Sequence, residues 1–88
     1  MKTQKVLIIN RAGLHARAAT KLSKLAASFS SEIKIGHDKM VDGKSILSLM
    51  MLAAVKGTEL EIVAEGRDEN EAVTAISDLI ANRFDEAD

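Results

Sequence analysis

Thr58 to Gly66 read TELEIVAEG. Glu59, Glu61 and Glu65 alternate with Leu60, Ile62 and Ala64, the two-residue period of a strand with one buried and one wet face. Such a strand belongs to a sheet covered on one side only. The neighbouring segments fit that frame. KVLIIN (5–10) is apolar and rich in β-branched residues, and its unbroken apolar run predicts a central or well-covered strand. SSEIKIGHDKMVDG (30–43) reads as two short strands around a turn at Gly36–His37–Asp38, paired antiparallel.

The remaining segments are helical. From Ala16, the apolar residues Ala18, Ala19, Leu22, Leu25, Ala26 and Phe29 recur at three- and four-residue spacing, which marks one buried helical face. KSILSLMMLAAVKG (44–57) reads as a short helix with Ser45 as N-cap and Gly57 just beyond its end. Asp68 is placed to cap the last helix, with Glu71 at the third helical position reaching back. That helix is predicted to bury Ala72, Val73, Ile76, Leu79, Ile80 and Phe84. The order is strand, helix, strand, strand, helix, strand, helix. Three apolar stripes need one common surface, so the expected fold class is α+β. It is an open-faced sandwich, a four-stranded, largely antiparallel sheet covered on one face by three helices. With no linker, repeat or low-complexity stretch, residues 1–88 are expected to form a single domain.

Composition narrows the function. A chain of 88 residues buries only about 60–65% of its unfolded surface, so a site should lie at or near the surface. A net charge of −1, with two Phe and no Trp or Tyr, argues against nucleic acid as a partner. No cysteine is present, so disulfides and thiolate metal sites are excluded, and two histidines make a zinc site improbable. MKTQKVLIIN (1–10) holds only four consecutive apolar residues, too few for a signal-peptide core. The apolar run LMMLAAV (49–55) is far short of a membrane span. A cytoplasmic location without membrane attachment is the default.

RAGLHARAATKLSKLAASF (11–29) places one of the two histidines at a helix start beside an arginine. With His15 as N-cap, Ala16, Arg17 and Ala18 occupy the first turn, where backbone N–H groups have no intrahelical partner. Those donors and the positive end of the helix form an anion site, to which the Arg17 guanidinium can add. The same positive end disfavours an imidazolium and so keeps the ring a nucleophile. A phosphorylated imidazole retains a high transfer potential, whereas a serine ester would be too stable to hand on. The alternative is that His15 is a plain cap. Arg17, Lys21 and Lys24 form a basic stripe beside it, either a solvated face or a surface that steers acidic partners. His37 lies in a polar turn and reads as a solvated residue. In the short helix, Ile46, Leu49 and Ala53 make one apolar face, and Leu47, Met50 and Ala54 another. A small helix buries only one of these well, so the surplus is either tight packing under a loop or an exposed docking patch.

GLHARAA (13–19), followed by GKSILSLMMLAAVKG (43–57), resembles the HPr family of phosphocarriers of the phosphoenolpyruvate-dependent phosphotransferase system. The resemblance spans essentially the whole chain, including the order of elements, and implies the open-faced fold read above. It implies that His15 accepts a phosphoryl group on Nδ1 from enzyme I and passes it to an enzyme IIA, with Arg17 assisting. The chain would then be a carrier and not itself an enzyme, needing no cofactor or metal, and monomeric. Ser45 matches a regulatory phosphorylation site, which implies an HPr kinase/phosphorylase as a further partner. In the family such an apolar patch lies next to the histidine, so Ile46, Leu47 and Met50, with Lys21 and Lys24 of the basic stripe, are expected to form the partner-binding surface. Most members carry proline where this chain has Ala18, and alanine restores one N–H near the acceptor. A second function is a regulatory module of a nitrogen-type or incomplete phosphotransferase system, signalling through the phosphorylation of His15 and Ser45. A third is a small interaction domain in which His15 is only a cap.

Overall fold

The computed structural model describes residues 1–87. Its elements are β1 (Lys2–Leu7), α1 (Ala16–Ala27), β2 (Glu32–Gly36), β3 (Met40–Asp42), α2 (Ile46–Met51), β4 (Glu59–Glu65) and α3 (Glu69–Ala81), followed by a 3-10 turn at Arg83–Asp85. The strands form one sheet in the order β1-β4-β2-β3, antiparallel at every pairing. The alternation in TELEIVAEG sets its faces. Leu60, Ile62 and Ala64 are buried, and the register opposes Ile35 to Ile62 and Ile33 to Ala64 on the same side. Against that apolar face lie Ala18, Ala19, Leu22 and Ala26 of α1 and Ala72, Val73, Ile76 and Ile80 of α3. Leu25, Phe29 and Leu79 pack at the margin of this core.

The structure corrects four expectations. The first strand is neither central nor well covered: it runs over 2–7 rather than 5–10, is paired only with β4, and is largely exposed. The apolar run straddles the strand's end. Leu7 is exposed, whereas Ile8, just past the strand, is buried, with its N–H on Thr58 O (2.9 Å) and its carbonyl accepting from Gly57 N–H (2.8 Å). Continuous hydrophobicity here reflects a plug at the sheet's end rather than cover on both faces.

The short helix stops at Met51, with Leu52 as C-cap, and the left-handed residue behind it is Ala53 (φ 51°), not Gly57. The chain turns away because Ala54 O accepts from Leu14 N–H at 2.9 Å, which ties the end of α2 to the loop before α1. Ala54 is consequently buried rather than part of an outward face.

Asp68 sits at the N-cap of α3 but makes no capping bond. Its carboxylate instead accepts from the N–H groups of Ser30 and Ser31, both at 2.9 Å, and from the Ser31 hydroxyl. The hydroxyl bond, followed by the Ser30 N–H, outweighs the opposing effect of burial and lowers its pKa to about 2. The donors of the α1–β2 loop thus outcompete those of the helix, and Glu69 rather than Glu71 reaches back, accepting from Gly66 N–H at 3.1 Å. Phe84, finally, lies beyond α3 in a turn where Arg83, Phe84 and Asp85 all have positive φ (57°, 53° and 65°), yet it is fully buried.

Candidate functional site

His15 is the N-cap of α1, with extended backbone (φ −85°, ψ −178°). Its carbonyl accepts the first intrahelical bond, from Ala19 N–H at 2.8 Å, so the N–H groups of Ala16, Arg17 and Ala18 precede the ladder. The imidazole makes no capping bond to them. A plain cap satisfies those donors with its own side chain, and this ring does not; it turns to Glu86 instead. The loop that delivers it is packed closely. Gly13 has φ +68°, and a Cβ there would stand 2.5 Å from Ala54 O, so both conformation and space require glycine.

Two residues that sequence reasoning missed complete the site. Asn10 is buried, and its Nδ2 donates to Gly13 O (2.8 Å) and to Glu86 Oε1 (3.0 Å). The other carboxylate oxygen of Glu86 meets His15 Nε2. Burial pushes the Glu86 carboxyl upward, but the hydrogen bonds from His15 and Asn10 and the charges of His15 and Arg17 outweigh it, and the group is held below its usual range. Glu86 arrives from the far end of the chain because the left-handed turn redirects it. Phe84 anchors that turn in the core, and Lys21 Nζ donates to Phe84 O at 2.9 Å. The Asp85 carboxylate stands 3.9 Å from the same ammonium.

The expected site residues are brought together unevenly. Arg17 is exposed, beside His15 and within electrostatic reach of Glu86. Lys21 is engaged with the C-terminal turn, so of the basic stripe Arg17 and Lys24 are the exposed members. Ala18 directs its methyl into the core. Ser45 caps α2, its Oγ accepting from Ser48 N–H at 3.2 Å. Leu49 is buried, while Ile46 (41%), Leu47 (70%), Met50 (41%), Met51 (76%) and Val55 (65%) are exposed. The bond between Leu14 and Ala54 sets this apolar patch beside the His15 loop. Met51 and Val55 were not singled out in the sequence; Val55 lies past the end of α2, where the expected helix would have continued. His37 lies in the β2–β3 turn, its Nδ1 3.5 Å from Asp38 and its Nε2 3.4 Å from Leu52 O, and it shares nothing with the His15 site.

A histidine at a helix start, ungrasped by that helix and flanked by an arginine and an apolar patch, can be compared with known proteins. The model of the family described as "PTS HPr component phosphorylation site" matches residues 2–82. The chain belongs to the HPr family. It is 47% identical over 90 residues to the phosphocarrier protein HPr of Pseudomonas aeruginosa, with the whole of both chains covered. It is also 42% identical over 85 residues to the phosphocarrier protein NPr of Shewanella violacea, covering 96% of this chain and 93% of that one. The crystal structure of an HPr from Thermoanaerobacter tengcongensis superposes with a TM-score of 0.93 at 42% identity, over 98% of each chain. The open-faced arrangement is therefore the HPr fold. Among the described residues no helix is long and apolar enough to cross a membrane.

Proposed function

We propose that this chain is a cytoplasmic phosphocarrier: His15 accepts a phosphoryl group from phosphorylated enzyme I, with phosphoenolpyruvate as ultimate donor, and passes it to an enzyme IIA. The observation that carries the reading is the N-cap histidine whose ring leaves the first-turn donors of α1 uncapped. A phosphoryl group on the ring lies near the N–H groups of Ala16, Arg17 and Ala18, at the positive end of the helix. Incubation with enzyme I and phosphoenolpyruvate is expected to produce an acid-labile phosphate. Its absence would reject the carrier reading.

Arg17 supplies charge-assisted contacts worth about 1.5–3 kcal/mol in the state that makes them. If they strengthen in the transition state, Arg17→Ala slows transfer by roughly one to two orders of magnitude. The fold is expected to be unaffected, since the side chain is exposed. Single-turnover kinetics check this, and an unchanged rate with either partner counts against the role.

The exposed Ile46, Leu47 and Met50, with Lys24, form the surface on which enzyme I and an enzyme IIA dock in this reading. Leu47→Ala and Met50→Asp should weaken enzyme I binding about five- to thirtyfold. Their melting temperatures should stay near that of the parent, because solvated side chains contribute little to stability. A large loss of stability without a binding defect would place these residues in the core instead.

Ser45 is proposed as a regulatory phosphorylation site for an HPr kinase/phosphorylase. As N-cap of α2 it already faces unpaired donors, so a phosphate there is tolerated by the fold. The same dianion must be desolvated when the patch docks. Ser45→Asp is expected to slow phosphorylation of His15 about tenfold with thermal stability retained. Phosphorylation at the parent rate would leave Ser45 a cap and nothing more. The likeness to an NPr keeps a second reading, a regulatory module feeding no transporter. Assaying transfer to sugar-type and nitrogen-type enzyme IIA proteins separates the two.

A further inference from the structure

We propose that Glu86 is the positioning residue of the acceptor histidine: by engaging Nε2 it fixes the ring tautomer, leaves Nδ1 as the nucleophilic atom, and balances the charge the ring acquires. The inference rests on the carrier reading above. Three observations support it. The Glu86 carboxylate meets His15 Nε2 with one oxygen and is held at the other by the amide of buried Asn10. Neither helix α1 nor any other described group takes a hydrogen bond from His15 Nδ1. And the turn that delivers Glu86 runs through three consecutive left-handed residues, none of them glycine. Each such residue is strained and persists only where its surroundings hold it, here buried Phe84 and the Lys21 ammonium on its carbonyl. Strain concentrated in the segment that delivers one carboxylate points to a use for that carboxylate.

The chemistry follows from the two edges of the imidazole. A carboxylate accepts a proton-bearing nitrogen, so Nε2 carries the hydrogen and Nδ1 keeps its lone pair. In transfer, that lone pair forms the N–P bond while the bond from phosphorus to the donor atom breaks, its electron pair leaving with the donor. The Nε2 proton stays on the ring, which becomes cationic next to Glu86. When the group is passed on, the N–P pair returns to Nδ1 and the ring is neutral again. A carboxylate behind a histidine does the same service in hydrolytic triads.

The test uses the full chain with Glu86→Ala and Glu86→Gln. Nitrogen-15 shifts of the unphosphorylated His15 ring, recorded where it is neutral, should show the Nε2–H tautomer almost alone in the parent and in Glu86→Gln, whose carbonyl still accepts. Glu86→Ala should add the Nδ1–H form. The single-turnover rate of phosphoryl transfer from enzyme I should fall about tenfold in Glu86→Ala and several-fold in Glu86→Gln, with the apparent affinity for the donor and the melting temperature retained. A parent-like ring spectrum in Glu86→Ala, or a parent-like transfer rate, overturns the proposal. The spectrum needs no partner protein. A parent chain that shows the expected tautomers but accepts no phosphate would reject the carrier reading and leave the Glu86 contact standing.

Discussion

His15→Ala is expected to abolish acid-labile phosphate in the presence of enzyme I and phosphoenolpyruvate, and His37→Ala to leave it intact. Both histidines are surface residues of similar intrinsic nucleophilicity, so the contrast must come from their settings. His15 stands where uncapped backbone donors, the positive helix end and an exposed arginine converge. His37 is tied to a carboxylate and a carbonyl in a turn, with no helix N-terminus to add backbone donors. The alanine variant at position 15 should keep its fold, because the imidazole makes no capping bond and is partly exposed. Acid-labile phosphate persisting in a folded His15→Ala protein would move the acceptor elsewhere and dismiss the assignment.

The largest effect on stability is expected at Phe84. It is the bulkiest of the fully buried side chains and sits in a turn that packs against both α1 and α3. Truncating a buried phenylalanine removes its transfer free energy and leaves a cavity, together about 3–5 kcal/mol. For a domain of this size that lowers the melting temperature by roughly 15 °C or more. Phe84 also holds the left-handed turn, so Phe84→Ala should in addition free Glu86 from His15. Thermal denaturation measures the first effect and the nitrogen-15 spectrum of the ring the second. A shift of only a degree or two would mean that the C-terminal turn is not part of the packed core.

What could be read from the sequence was whatever a local period or a cap dictates. TELEIVAEG declared its inner and outer faces, the HARAATKL stretch its helix and its N-cap, and KSIL the capping serine of α2. Such signals depend on residues within one or two turns of each other, and tertiary contacts did not override them. The failures lie where a distant partner decided the outcome. Asp68 has every mark of a cap, yet donors near residues 30–31 claim it. VLII looks like an interior strand, but pairing with β4 starts at Lys2 and leaves the run half outside the sheet. Glu86 carries no signal at all. Its partner is 71 residues away, and the turn that brings it there uses Arg, Phe and Asp where a left-handed backbone would lead one to look for Gly or Asn.

The strand order also bears on how the chain acquires its shape. β4 is the second strand in space but the last in sequence, and it alone joins β1 to the rest of the sheet. The register opposes Leu7 to Glu59 and Lys2 to Ala64, so β1 has no pairing partner until residues 59–64 have been synthesised. Bringing ends so far apart together carries a loop-closure entropy that local helix formation does not. α1 and the β2–β3 hairpin can form and dissolve many times before β4 inserts between β1 and β2 and commits the fold. Refolding is therefore expected on the slower timescale of non-local topologies, milliseconds and longer. A stopped-flow trace complete within microseconds would show that the ends find each other before the middle does.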